Sequence, residues 1–394
     1  MPTHSRAFRS DARSTGRKPP PSFAFDIDGV LLHVSKPIPG ASDTLRFLQA
    51  SGIPFILLTN GGGKPEAERV RDLSERLGVP LSTDNFIQSH TPFQELLKGP
   101  GSLRDKTVLV TGSDYEKCRA IFEGYGFRTV LTPADIYAAD PTIFPFQPPP
   151  QTTLSHARPL PAPLYHPSST LPLTSHLKID AVFTLNDPRD WALDLQLLTD
   201  LLLSHGGYLG TYSQHNGPAS TTTTSSTSGV AAKRCLGWQR DGQPPLYFSN
   251  ADLLWSALHP LPRLGQGAFQ AALAGVWARI TGGQAELERK CIGKPYAETY
   301  RFAEGVLARA AEGEGRKLGR VYMVGDNPES DIAGANGFVS EWGAEWVSVL
   351  VRTGVWKEGR GGKLEGVFEP REVVDDVKAA VEWAVEREVR GKIE

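Results

Sequence analysis

Short apolar runs that end in polar, glycine-containing loops recur along this chain and constrain its fold more than any other feature. The first run begins at Phe23 and meets the acidic turn 26–29. The second, Ile53 to Leu58, is followed by three glycines and a helical pattern over 65–77. Strand, glycine loop and helix in this order indicate βαβ units, and so predict an α/β fold with a mainly parallel sheet. Further strands are predicted at 107–111, 181–185, 246–249, 321–324 and 346–351.

Three segments depart from this pattern. Residues 1–21 carry five Arg or Lys against one Asp and no apolar run, so we predict a flexible basic tail. Nine of the 31 prolines lie between Pro145 and Pro172, and residues 220–228 are all serine or threonine. Because such segments bury little apolar surface to offset their ordering entropy, we expect disordered-looking insertions near 145–178 and 213–245.

Composition excludes several classes of protein. With 42 Lys and Arg against 44 Asp and Glu, the formal net charge is −2, so a nucleic-acid-binding protein is not expected. The longest apolar run, near 195–203, is interrupted by Gln196 and Asp200, so no membrane span is predicted. Three scattered cysteines fit a reducing, intracellular compartment better than a disulfide framework.

Two of the strand ends carry residues suited to phosphate chemistry. Asp26 and Asp28 stand two positions apart after a buried strand, where one acid could attack phosphorus and the other could move a proton. A Ca²⁺-binding loop or a solvated turn is the alternative. The stretch Thr59 to Gly61 offers a hydroxyl and backbone N–H groups to an anion, although such a turn is often only structural.

Two later stretches add charges of both signs. Lys294, in a Gly-Lys-Pro turn, could hold an aspartate and a phosphoryl group together, although such turns also simply begin helices. Asp326 ends a buried strand and Asp331 opens the next helix, which provides oxygen ligands suited to Mg²⁺. An acidic helix cap would explain Asp331 but not Asp326.

In chain order, these residues resemble the four motifs of the haloacid dehalogenase superfamily: DxD, Thr, Lys and GDxxxxD. The DxDGV, Thr-Asn-Gly, GKP and GDNPxSDIxGAN stretches are similar to subfamily IIA. More narrowly, the chain resembles the cat-eye-syndrome-critical-region-protein-5-like branch, in its fungal form, at residues 25–32, 36–40, 58–63, 89–92, 186–191 and 246–255.

This resemblance implies a Rossmann-like catalytic core with a large inserted α/β cap of the second class. The core would be discontinuous, formed by residues 22–92 plus 287–394, and the cap would occupy 93–286. The cap would set specificity. Polar residues to examine there and in the cleft are Asn186, Asp187, Arg189, His90 and His215, for which surface capping or ordinary core hydrogen bonding is an equal alternative.

The resemblance also implies roles for the motif residues. Asp26 would be the nucleophile that forms an aspartyl-phosphate, Asp28 the acid and base, and Lys294 the charge-neutralising group. Thr59, Asn60 and Gly61 would bind the phosphoryl group, together with Lys294; Thr59 and Lys294 thus belong to the catalytic set. Because the family's dehalogenases lack the second aspartate, Asp28 favours phosphoryl chemistry.

Mg²⁺ is the implied cofactor. Its ligands would be Asp26, Asp28 through its backbone carbonyl, and Asp326, with Asp331 and Asn327 supporting the site from behind. The predicted function is a Mg²⁺-dependent phosphatase acting on a small phosphorylated metabolite; a catalytically weak regulatory protein and a phosphotransferase are the alternatives. A homo-oligomer is left open. The Ser- and Arg-rich start resembles a mitochondrial presequence, so a mitochondrial location stands beside a cytoplasmic one.

Overall fold

The computed structural model describes residues 21–218, 237–255, 259, 261–313, 317–359 and 363–390. The predicted tail lies outside these residues except for Pro21, as does the middle of the insertion expected at 213–245. The helices are α1 (Ala41–Ala50), α2 (Glu66–Leu77), α3 (Tyr115–Tyr125), α4 (Pro133–Ala139), α5 (Gln151–Leu154), α6 (Trp191–Leu203), α7 (Gln266–Ile280), α8 (Ala297–Gly313), α9 (Ala333–Gly337) and α10 (Val377–Arg390).

The strands fall into two sheets and two short hairpins. They are β1 (Ser22–Phe25), β2 (Leu32–His33), β3 (Lys36–Pro37), β4 (Phe55–Leu58), β5 (Phe86–Ile87), β6 (Thr107–Thr111), β7 (Thr129–Leu131), β8 (Ala181–Thr184), β9 (Leu246–Phe248), β10 (Leu254–Trp255), β11 (Arg263–Leu264), β12 (Lys290–Cys291), β13 (Arg320–Gly325), β14 (Glu345–Val351) and β15 (Glu372–Val374).

The first sheet is parallel throughout, in the order β15-β14-β13-β1-β4-β5. Its strands are apolar and buried on both faces, as parallel strands between helices must be. One face packs against α1, α2 and α10. The other face packs against α8 and α9. This arrangement is a three-layer α/β sandwich.

The second sheet is also parallel, in the order β12-β9-β8-β6-β7. Helices α4, α6 and α7 cover one face and α3 the other. The predicted α/β fold with parallel sheets is therefore confirmed. We call the unit around the first sheet the core and the unit around the second sheet the cap.

The cap differs in detail from its predicted outline. Strand β12 pairs with β9, so Lys290 and Cys291 belong to the second sheet, beyond the boundary expected at 287. We therefore propose that the chain returns to the core after Cys291. Within the proline-rich segment 145–178, Leu154, Leu160 and Leu164 are partly buried and pack against the cap interior. The other boundaries remain predictions.

The carboxyl ends of the strands position the polar residues. In parallel α/β sheets these ends meet at one edge, where ligands bind. In the core, Asp26 follows β1, Thr59 follows β4 and Asp326 follows β13. In the cap, Asn250 and Ile292 follow β9 and β12, and Asn250 donates a hydrogen bond to the core at the Asn60 carbonyl (3.3 Å). The carboxyl edges of the two sheets thus face each other.

Candidate active site

Asp26 and Asp326 lie side by side because β1 and β13 are neighbouring parallel strands. Phe25 pairs with Val324, and the Asp26 N–H donates to the Val324 carbonyl at 2.9 Å. Asp26 is 7 % exposed and Asp326 is 3 % exposed. Two carboxylates are therefore held at the same buried edge by the backbone register alone.

Lys294 reaches this pair from the loop that follows β12. Its Nζ lies 2.5 Å from Asp26 Oδ1 and 2.7 Å from Asp331 Oδ1, and the side chain is 2 % exposed. Burial opposes the charge on Lys294, but Asp26 and Asp331 outweigh it and raise the lysine pKa. Lys294 is thus held as a cation between two carboxylates.

The site carries more negative than positive charge. Asp26, Asp326 and Asp331 each offer a carboxylate oxygen within 4.8 Å of the others, and Lys294 is the cation paired with two of them. Burial raises the pKa of Asp26 and of Asp326, and repulsion from neighbouring carboxylates adds to both shifts. A buried group of three acids and one lysine fits a divalent cation, whose preferred ligands are carboxylate oxygens.

Asp331 and Asn327 shape the loop that carries Asp326. Asp331 Oδ2 accepts hydrogen bonds from the backbone N–H groups of Asp326 and Asn327, each at 3.1 Å. Asn327 caps the π-helical turn Pro328–Ile332 by accepting from the Glu329 N–H at 2.9 Å. Asp331 therefore orients the loop with one oxygen and Lys294 with the other.

The turn after β4 is built as an anion cradle would be. Thr59 Oγ1 accepts from the Gly61 N–H at 3.0 Å, so the hydroxyl hydrogen can be donated to an anion. Asn60 ties this turn to the lysine loop: its Oδ1 accepts from the Lys294 N–H at 2.7 Å, and its Nδ2 donates to the Lys294 carbonyl at 2.9 Å. The threonine and lysine motifs are therefore fixed relative to each other.

Asp28 follows Asp26 by two residues and is exposed, whereas Asp26 is buried. The surrounding protein raises the pKa of the Asp28 carboxyl by desolvation, against the opposing charges of Arg69 and Lys294. A raised pKa favours the protonated form, which is the form that can donate a proton.

The five cap and cleft residues singled out from the sequence have different surroundings. Asn186 bridges to the cap residue Ser113, donating from Nδ2 to Oγ at 2.8 Å and accepting the Ser113 N–H at 2.7 Å. Arg189 lines a cap cleft of about 590 Å³, and burial raises the pKa of the nearby Asp187 against the opposing charge of Arg189. His90 is fully buried beside the glycine turn, whereas His215 lies against Asp241 in the cap.

Two contacts of the site were not foreseen from the sequence. The Val355 N–H donates to Asp326 Oδ2 at 2.6 Å, from a loop after β14 that the sequence did not connect with the site. Asp252 of the cap accepts from Asn60 Nδ2 at 3.1 Å. Asp252 lies in the stretch 246–255 named in the resemblance, but nothing local in the sequence identifies Asn60, 192 residues away, as its partner.

Comparison with known proteins agrees with this geometry. A family model described as haloacid dehalogenase-like hydrolase matches residues 23–128, and a related HAD-like hydrolase model matches 291–380. A mitochondrial hydrolase of Saccharomyces cerevisiae is 35% identical over 388 residues, covering 93% of this chain and 96% of that protein. The chain belongs to the haloacid dehalogenase-like hydrolase family.

A second relative of this hydrolase is a fusion protein. It is the cardiolipin synthase (CMP-forming)/mitochondrial hydrolase fusion protein of Schizosaccharomyces pombe, 38% identical over 371 residues. The match covers 93% of this chain but 53% of the fusion protein, so the chain spans about half of that relative's length. The predicted membership of the haloacid dehalogenase superfamily is thus confirmed at the level of whole-chain similarity.

Solved structures share the fold of this hydrolase. A p-nitrophenyl phosphatase from Archaeoglobus fulgidus superposes with a TM-score of 0.54 at 16% identity, covering 92% of this chain and 98% of that one. A glycerol phosphate phosphatase from Mycobacterium tuberculosis, in complex with magnesium, gives 0.52 at 18% identity, covering 91% and 76%. Among the described residues, no helix is both long and apolar enough to cross a membrane.

Proposed function

We propose that this hydrolase is a Mg²⁺-dependent phosphatase that cleaves a small phosphate monoester through an aspartyl-phosphate on Asp26. The observation that carries the proposal is the buried cluster in which Lys294 pairs with Asp26 and Asp331 while Asp326 stands within 4.8 Å. Solved phosphatases with the same fold, and a 4-nitrophenylphosphatase of Schizosaccharomyces pombe that is 34% identical over 94 residues, support the choice of substrate class.

In the first step, the Asp26 carboxylate attacks phosphorus. Lys294 holds Oδ1 at 2.5 Å, which leaves Oδ2 for the new bond. As the Oδ2–P bond forms and the bond to the leaving oxygen breaks, Asp28 gives its proton to that oxygen. The Thr59 hydroxyl and nearby backbone N–H groups would hold the transferring oxygens.

In the second step, Asp28 acts in reverse. As a carboxylate it takes a proton from water, whose oxygen attacks phosphorus. The Oδ2–P bond breaks, orthophosphate leaves and Asp26 returns as a free carboxylate. Two displacements with one acid and base between them replace a single, harder one.

Asp26, Asp326 and the Asp28 backbone carbonyl would hold Mg²⁺ in this proposal, with Asp331 behind them. When bound, the ion supplies positive charge that stabilises the phosphoryl group in the transition state. The fit rests on the charge of the cluster, in which three buried carboxylates face one lysine. Burial raises the pKa of Asp26 and Asp326, and repulsion among the carboxylates raises it further.

The test is hydrolysis of p-nitrophenyl phosphate by the purified full chain. We expect turnover that EDTA abolishes and added Mg²⁺ restores, and a loss of at least about a thousandfold in Asp26→Asn. Asp43→Asn, whose carboxyl is 85% exposed in α1, is the matched control and should keep full activity. Turnover that survives EDTA, or an active Asp26→Asn protein, would contradict the mechanism.

The role of Asp28 has its own arm of this experiment. A nitrophenolate leaves without help from an acid, whereas an alkoxide needs a proton. We expect Asp28→Asn to lose kcat/KM by a larger factor on glycerol phosphate than on p-nitrophenyl phosphate. Equal losses on both substrates would remove Asp28 from the role of proton donor.

We also propose a mitochondrial location for this hydrolase. Two yeast relatives carry the words mitochondrial hydrolase in their names, one of them as part of a fusion protein. Fractionation of cells that express the full chain with a C-terminal tag would test this, and recovery in the cytosolic fraction alone would oppose it.

A further inference from the structure

The segment Ser89–His90 underlies all three glycines that follow Asn60. The Ser89 N–H donates to the Gly61 carbonyl at 3.4 Å, and the Gly63 N–H donates to His90 Nε2 at 3.3 Å. A side chain on Gly62 would have its Cβ 2.8 Å from His90 Cδ2, so the imidazole ring packs directly against this residue. The glycine loop, residues 61–63, therefore rests on the His90 side chain.

The hydrogen bonds fix the tautomer of His90. Because Nε2 accepts from the Gly63 N–H, the ring proton is on Nδ1 and is donated to the Tyr125 hydroxyl at 2.6 Å. Tyr125 in turn donates to Glu66, which also accepts from Thr91 Oγ1 at 2.9 Å. A chain of hydrogen bonds thus runs from the Gly63 N–H through His90 and Tyr125 to the Glu66 carboxylate.

This chain crosses from core to cap. Tyr125 is the last residue of α3, in the cap, and the ring of His90 lies 6.0 Å from its ring between centroids. His90 belongs to the core and precedes the 3₁₀ segment Thr91–Leu97, through which the chain enters the cap. The Tyr125 hydroxyl of α3 is therefore hydrogen-bonded to His90 and to Glu66, both of which lie in the core.

The glycine loop in turn controls a group placed at the proposed phosphate site. Gly61 donates to Thr59 Oγ1, so a shift of the loop would also shift the orientation of that hydroxyl. Gly63 has φ +96°, a backbone conformation open to glycine because it has no side chain. Losing the support should therefore weaken phosphate binding before it affects bond cleavage.

We propose that His90 is a positioning residue for phosphate binding, which holds the glycine loop in place and is itself held by Tyr125 of the cap. The proposal rests on the proposed phosphatase function for its kinetic consequence, but not for its structural one. It assigns a specific role to a histidine that carries no charge in its buried position.

The kinetic test compares three variants with the wild-type chain, using p-nitrophenyl phosphate as substrate and orthophosphate as inhibitor. His90→Ala should raise KM and the orthophosphate inhibition constant by about tenfold, with kcat reduced less than about threefold. His90→Gln keeps an acceptor for the Gly63 N–H and should stay within about threefold of wild type. Tyr125→Phe should fall between the two.

His176→Ala is the matched control. His176 is also buried, at 4 % exposure, but its ring nitrogens contact Ser169 and Pro172 within the cap. A general loss of folded protein would lower kcat in both alanine variants and leave KM unchanged. Unchanged KM and inhibition constant in His90→Ala, or equal increases in His176→Ala, would overturn the proposal.

Hydrogen–deuterium exchange of the loop separates this inference from the phosphatase proposal. Peptides covering 59–64 should exchange faster in His90→Ala and Tyr125→Phe than in wild type or His90→Gln. A wild-type chain that cleaves no phosphate ester refutes the proposed function, yet the exchange rates still decide the role of His90. Unchanged exchange in both variants refutes that role. If His90→Ala does not fold, Tyr125→Phe and His90→Gln carry the comparison.

Discussion

At the scale of single residues, the site depends on burial working against charge. Asp26 is destabilised as a carboxylate by its surroundings, and Lys294 is the group that offsets this. Removing the Lys294 side chain would leave three buried carboxylates without a paired cation. Such unpaired charges cost more free energy of folding than a site that buries no charges. The paired charges are thus a requirement of the site and not a source of stability.

His90 yields a prediction about stability and pH. Burial lowers its pKa to about 4, while Glu66 opposes this shift. An unfolded histidine takes up its proton near pH 6.5, so the unfolded chain binds one more proton between these values. Stability from this group is therefore complete above pH 6.5 and is lost as the pH falls towards 4, by about 2 kcal/mol between pH 7 and 5.

Urea unfolding at pH 7 and pH 5 measures this effect. The other titrating groups are shared by wild type and His90→Gln, so the difference between the two pH dependences isolates His90. We expect the variant to lose about 2 kcal/mol less than wild type between the two pH values. Parallel pH dependence in the two proteins would show that folding leaves the pKa of His90 unchanged.

At the scale of elements, strand ends were predictable and the contacts between distant loops were not. An apolar run followed by an acid or a glycine is visible locally, so the positions of Asp26, Thr59 and Asp326 at one edge followed from the sequence. The loop after β14 contains Gly354, yet its hydrogen bond to Asp326 comes from a backbone group. The Val355 N–H donates to Asp326, and a backbone donor cannot be recognised from residue types.

That loop supports a prediction at Gly354. A Cβ there would lie 1.8 Å from Asp326 Oδ2 and 2.3 Å from Asp326 Cβ, so Gly354→Ala must displace the aspartate or the loop. A shift of about 1 Å at a reacting centre can cost about a hundredfold in rate. We expect a loss of that order in kcat/KM for p-nitrophenyl phosphate at saturating Mg²⁺.

Gly275→Ala is the matched control for this prediction. Gly275 lies inside α7, and a Cβ there would meet no atom within 4 Å. The change should leave activity unaltered and stabilise the helix by about 0.5–1 kcal/mol. If Gly354→Ala is as active as Gly275→Ala, the loop after β14 does not position Asp326.

At the scale of the whole molecule, the carboxyl ends of the strands in two parallel sheets face each other at one site. The sequence indicated an inserted unit but not the contacts that fix its position on the core, because the hydrogen bond between Asn60 and Asp252 joins residues 192 positions apart. Lys294 itself reaches the core from β12, a strand of the cap sheet. The cap therefore helps to position residues of the site.

This tie leads to a prediction that involves both units. Asn60 Nδ2 donates to Asp252 Oδ1, and Asn60 also bonds the lysine loop through both of its side-chain atoms. In a double-mutant cycle with Asn60→Ala and Asp252→Ala, the two losses in unfolding free energy should not add. Once one partner is gone, removing the other costs less, and we expect an interaction energy between about 0.5 and 3 kcal/mol.

A parallel cycle that combines Asn60→Ala with Gln196→Ala is the control. The Gln196 side chain bonds Asp200 on α6 and shares no partner with Asn60, so these two losses should add to within about 0.5 kcal/mol. Additive losses for Asn60 and Asp252 would mean that this hydrogen bond does not couple the cap to the core.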